Sequence, residues 1–132
     1  MASNAVNYKT YIVSAEWRGK HKDFLRRSHY RCSFSLLPIG KTIKGKYFGY
    51  AIHHMNYQRL GDERIWEDVI PLHPWIHRWV IHGLLSGFRR PSQQKSYPNT
   101  AQRLAHFWCC QPVMIRGVLI VALLVNLVKA LW

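Results

Sequence analysis

The sequence predicts an α+β fold: a small hairpin-and-helix core, preceded by a basic helix and followed by a hydrophobic one. Three patterns predict it. Residues 15–31 place their large apolar side chains at helical spacing. Residues 32–53 alternate in character and are punctuated by Pro38, Gly40, Gly45 and Gly49, as a hairpin is. Residues 113–132 are almost continuously apolar.

Residues 1–14 are polar and mixed and read as an N-terminal arm. The helix follows. Ser14 is a natural N-cap, and Trp17, Phe24 and Leu25 stand at i, i+7 and i+8 on one face. Arg18, Lys20, Lys22, Arg26 and Arg27 occupy much of the remainder. The hairpin comes next, with a second strand from Tyr47 to His53. A polar loop runs through Gly61. The stretch "WEDVIPLHPWIHRWVIHGLL" then reads as mostly helix. Proline is tolerated in a first helical turn, so the helix is expected to start near His73 or Pro74 and to end near Gly83 or Leu85. Trp66, Trp75 and Trp79 are assigned to the core, because that helix must pack on the hairpin. Residues 86–100 are polar and rich in Ser, Pro and Gly, a linker. Residues 101–111 form a basic-aromatic segment.

The C-terminal run, extended as a helix, would measure about 30 Å, the thickness of a bilayer core. Arg116 and Lys129 stand near its ends, where they can snorkel, and Trp108 and Trp132 suit the interfaces. The uninterrupted apolar stretch is only Val118 to Val125, so a helix packed on the domain or on a partner is the competing reading. If residues 113–132 anchor the chain in a membrane, the positive-inside rule keeps the basic domain cytoplasmic.

With 132 residues, the chain is long enough for one domain and not for two. Lys and Arg total 19 against 6 acids, a formal net charge of +13. Polyanions, nucleic acid or anionic lipid, are the natural partners of such a surface. Four of the six acids, Asp62, Glu63, Glu67 and Asp68, lie beside histidines in one stretch, which marks a local site or a capped helix start. Three cysteines, two of them adjacent, make no disulfide framework and fit a reducing compartment. The opening residues contain no apolar core of a secretory signal.

The chemistry concentrates between residues 51 and 82. His53 and His54 are adjacent at a strand end, so their side chains face opposite sides. His73 and His77 stand at i and i+4 on the helix, with His82 five positions further. A strand histidine facing a helix histidine can hold one divalent cation, and the second strand histidine is then free to act as a base near neutral pH. That combination suits phosphodiester hydrolysis.

These residues carry a family resemblance. "YRC" (30–32), "HH" (53–54), "Y.RLG.E" (57–63), "ED" (67–68) and "L....H" (72–77) occur in the order of the HNH endonuclease motif. The chain resembles that family over residues 15–85. The resemblance implies a ββα-metal core and cleavage of DNA. It implies His53 and His77 as ligands of one divalent ion (Mg²⁺, Mn²⁺, Ni²⁺ or Zn²⁺) and His54 as general base. Asp68 falls where the family's middle Asn often stands, which implies a catalytic role in bracing the loop and orienting the base; it accepts hydrogen bonds but has no amide N–H to donate. His73 and His82 are candidates for an additional ligand or a phosphate contact, His82 standing one residue later than the family's trailing histidine. Arg18, Lys20, Lys22, Arg26, Arg27, Arg59 and Arg78 are candidates for the DNA backbone. Many relatives carry two CxxC knuckles. Here those positions read Cys32-Ser-Phe-Ser35 and His73-Pro-Trp-Ile76, too few ligands for a structural zinc, so none is expected and packing by Phe34, Leu36, Trp75 and Ile76 is expected in its place. A catalytically degenerate scaffold that binds nucleic acid, or a membrane-associated interaction protein, would keep the same framework without the chemistry. His21, His29 and His106 are assigned to surface or packing.

Overall fold

The computed structural model describes residues 7–87 and 98–131. The first part of the arm, most of the linker and Trp132 lie outside the described residues. The fold is mixed α and β. Helix α1 (Tyr8–Tyr11) is capped by Asn7, whose side chain accepts from the Lys9 amide. Tyr11 is buried against Trp17, so this half of the arm belongs to the core.

Helix α2 (Ala15–Arg27) forms as its sequence dictates. The Ser14 hydroxyl accepts from the Trp17 amide at 3.1 Å, and Trp17, Phe24 and Leu25 are its buried residues. Strands β1 (Lys41–Ile43) and β2 (Lys46–Phe48) are an antiparallel hairpin. Its two turn residues, Lys44 and Gly45, both have positive φ, 48° and 76°, the type I′ geometry that matches strand twist.

The expected strand Tyr47–His53 does not form as one piece. The chain breaks at Gly49 and Tyr50, and β3 (Ala51–His54) pairs instead with β4 (Val69–Leu72), in register His53↔Ile70 and His54↔Val69. Strand β4 falls where the sequence suggested only the approach to a helix. It is buried throughout, so it lacks the alternation that reveals a half-exposed strand. Pro71 sits in it without loss of sheet pairing, and its carbonyl accepts from the Ser33 amide.

The helix after β4 turns at Pro74, as expected, and continues as a π-helical segment, α3 (Ile76–Ile81), before a 3₁₀ turn at Leu84–Ser86. Helix α4 (Thr100–Cys110) opens with a reciprocal capping box between Asn99 and Gln102. Helix α5 (Val113–Leu131) ends the described chain.

The β3–β4 pair divides two apolar clusters. Ile70 and Leu72 face the larger, with Leu25, Ile39, Ile76 and Ile81; Val69 faces the smaller, with Tyr11, Trp17, Phe24 and Ile65. Ala105 and Cys109 of α4 are buried members of the larger cluster. The folded unit therefore extends beyond residues 15–85 at both ends. Two of the expected core tryptophans are on the surface: Trp75 is 60% exposed and Trp79 48%, while Trp66 is half-buried on both clusters.

Helix α5 is long and apolar enough to cross a membrane, and its side chains are exposed almost throughout. Arg116 is the exception and does not snorkel. It is 2% exposed, and its guanidinium donates to the Ser33 carbonyl. Trp108 is likewise engaged inside the protein, its indole N–H donating to the Phe34 carbonyl at 2.9 Å.

Candidate metal and histidine site

Strand alternation sends His53 and His54 to opposite faces. The two rings consequently live in different chemistry. His53 pairs across the sheet with Ile70 of the larger cluster, and its ring centroid lies 5.3 Å from His77, 5.1 Å from His82 and 5.2 Å from His106. His53, His77 and His82 form a group able to hold a metal ion: one ring nitrogen from each lies within 4.8 Å of the others.

The π-helical turn explains how His82 reaches this group. In an α-helix, residues five apart stand about 140° apart around the axis. An i→i+5 bond widens the turn and brings them onto nearly one line. The His82 amide donates to the His77 carbonyl at 3.1 Å, and the two Nε2 atoms are also 3.1 Å apart. The single extra residue between the two histidines is absorbed in that bulge.

His53, His77 and His106 favour the neutral form. Burial, then the neighbouring histidines, holds His53 well below its ordinary value. Burial and the nearby His82 bring His77 and His106 each down to about 4. Neutral imidazoles present lone pairs, the state a metal requires.

His54 occupies the other face. It stacks on Trp17 at 4.6 Å and on Tyr57 at 5.5 Å, with Tyr8 edge-on. It is 7% exposed. Its Nε2 lies 3.7 Å from Glu63. Burial lowers its pKa, and the Glu63 charge offsets part of that fall. Glu63 in turn accepts from the Tyr11 hydroxyl at 2.8 Å, Lys20 Nζ at 3.0 Å and the Gly61 amide at 3.0 Å. Burial pushes its pKa up, and these donors outweigh burial and bring it to about 2. Glu63, not Asp68, is thus the carboxylate beside His54.

Asp68 braces the loop instead. It takes both Arg59 Nε (2.8 Å) and Nη2 (3.0 Å), and also accepts from the Arg64 amide. This fork-to-carboxylate pair closes the segment between the strands. The basic candidates accordingly divide. Lys20 and Arg59 are committed to internal carboxylates. Arg18, Lys22, Arg26 and Arg27 remain exposed on α2, with Arg26 and Arg27 beside Asp23. Arg78 lies over the exposed Trp79 ring at 5.3 Å. His73 is apart from the cluster: its ring nitrogen accepts from the Trp75 amide, and its backbone amide points at Cys32 Sγ at 3.2 Å.

The loop at Cys32–Leu36 is held by the C-terminal segment. Trp108 fastens Phe34, Arg116 fastens Ser33, and Cys109 is buried in the same cluster as Cys32. Of the expected packing residues, Ile76 is buried and Phe34 packs on the core, Leu36 is half-buried, and Trp75 faces outward. His106 and Glu63 were the residues that sequence reasoning passed over. Glu63 had a signal, an acid within the histidine-rich stretch; His106 had none, since its partner His53 is 53 positions away.

Comparison with family models, curated proteins and solved structures returns no match.

Proposed function

We propose that this chain is a metal-dependent endonuclease of the HNH kind, hydrolysing DNA phosphodiester bonds. The observation that carries the reading is a strand–strand–helix unit whose first strand and helix supply His53, His77 and His82 within 4.8 Å. In this reading β3, β4 and α3 are a ββα-metal core. A divalent ion held by these three nitrogens would stabilise charge on the pentacovalent phosphate and on the leaving oxygen. An all-imidazole set suits Zn²⁺, Ni²⁺ or Co²⁺ better than Mg²⁺, which prefers oxygen donors.

The remaining steps belong to the chain's own residues. His54, oriented by Glu63, takes the proton from the attacking water. Tyr8 and Tyr57 cover it in the present state, so their rings must move aside to admit substrate. The exposed arginines and Lys22 of α2 supply phosphate contacts, and Trp75, Arg78 and Trp79 add an aromatic-cationic face suited to stacking. Helix α5 tethers the domain to a membrane from the cytoplasmic side.

One observation favours a second reading, a catalytically silent scaffold that binds nucleic acid: His54 is enclosed by three aromatic rings. The experiment is supercoiled-plasmid nicking by the full chain in detergent, with Zn²⁺, Ni²⁺, Mn²⁺ or Mg²⁺ and with EDTA. The full chain is required because α4 is part of the core. Metal-dependent nicking that disappears in His54→Ala and His77→Ala supports the nuclease. Salt-sensitive DNA binding without nicking under any metal supports the scaffold.

A further inference from the structure

We propose that His106 is a fourth nitrogen ligand of the metal centre. The centre would then be completed by a helix outside the strand–strand–helix unit. The inference rests on the reading of His53, His77 and His82 as a metal site, and it deepens that reading.

His106 lies outside the group whose nitrogens are all within 4.8 Å of one another, and it meets that group through His53. His106 Nε2 lies 3.1 Å from His53 Nε2, the same separation as between the Nε2 atoms of His77 and His82. Tetrahedral nitrogens about 2.0–2.1 Å from a zinc-like ion stand about 3.3 Å apart. His53 is the common neighbour, its ring centroid nearly equidistant from the other three. His106 is 9% exposed, so its ring points into the protein and not to solvent.

Its position is also built. Helix α4 is fastened at its start to the elements that carry His77 and His82: Asn99 donates to the Leu85 carbonyl at 2.7 Å and Gln102 to the Ile81 carbonyl at 3.1 Å. Two turns on, Trp108 donates to the Phe34 carbonyl. A helix pinned at both ends holds the His106 ring against the His53 ring. On loading, the four rings close toward one another around the ion.

Four imidazoles select for Zn²⁺, Co²⁺ or Ni²⁺ and against oxygen-seeking ions. They also set a condition on hydrolysis. A tetrahedral ion would be saturated by these ligands, so a phosphate oxygen enters only when the ion accepts more than four donors or when His106 leaves.

The test uses Co²⁺ as the probe on the metal-stripped full chain. X-ray absorption counts the imidazoles bound to cobalt in the wild type, and visible titration gives affinity for wild type and His106→Ala. The expected result is four imidazoles in the wild type, three plus an oxygen donor in the variant, and affinity weaker by about ten-fold or more. The wild-type count does not depend on the variant folding. Three imidazoles plus oxygen in the wild type, with a variant of unchanged spectrum, overturns the assignment of His106 and leaves the three-histidine centre standing. No stoichiometric cobalt at all overturns both.

Discussion

Replacing Glu63 by alanine should cost about 3–4 kcal/mol of folding stability. The side chain is 1% exposed and takes hydrogen bonds from Tyr11, Lys20 and Gly61. The Tyr11 hydroxyl and the Gly61 amide, left without an acceptor, cost about 1–1.5 kcal/mol each. A fully buried ion pair broken on one side costs about 3–5 kcal/mol. The Lys20 side chain, at 26% exposed, can turn to water, so its share falls to about 1 kcal/mol. The assay is urea unfolding of the full chain followed by tryptophan fluorescence, run as a double-mutant cycle with Lys20→Met. In that cycle Lys20→Met costs less in the Glu63→Ala background than alone. A loss below about 1 kcal/mol for Glu63→Ala, or additive single effects, would refute the claim that this network holds the small cluster and the His54 ring together.

Acid should destabilise the metal-free protein between pH 6.5 and about 4. His77 and His106 are held near 4 in the fold, whereas the unfolded chain takes up their protons from about 6.5 downward. The unfolded state therefore binds more protons in this window, and stability falls with pH until the folded rings protonate too. The 9%-exposed His106 alone accounts for at most about 3 kcal/mol, read as urea midpoints at pH 7.5, 5.5 and 4.5. Gly40→Ala should lose about 1–3 kcal/mol in the same assay. Its φ is +62°, and an added Cβ would lie 2.8 Å from a Leu25 methyl. Arg116→Met should leave the Ser33 carbonyl unpaired and raise amide hydrogen exchange across residues 32–36, while exchange in β1 and β2 stays unchanged.

Local signals were legible wherever local physics decides the outcome. Ser14 as N-cap and the Trp17–Phe24–Leu25 face follow from helical geometry alone. The divergence of His53 and His54 follows from the two-residue strand period. Strand β4 was hidden, because a wholly buried strand loses its alternation and its Pro71, with Pro74 just beyond it, resembles a helix start. The family order alone marks His82 as a candidate for an additional ligand; counting in α-helical turns sets it off the His77 line, and the π-helical segment brings the two together. Trp75 and Trp79 were misplaced because aromaticity says nothing about which helical face meets the sheet. His106 could not be read at all, since a contact 53 positions away is a product of tertiary docking, not of spacing.

The Arg116–Ser33 bond places a rigid joint where a leash would be expected. Pro112 separates α4 from α5, and the first turn of α5 is already fixed to the domain. From Gly117 to Leu131 the helix projects about 22 Å, somewhat less than a full bilayer core. Whatever surface receives that helix receives the domain with it, in one pose and at one height, with the Cys32–Leu36 loop nearest the point of entry. Such a protein does not sweep a volume on a flexible tether. It presents a fixed face, and in the nuclease reading proposed above DNA would have to reach that face at the depth and angle the joint dictates.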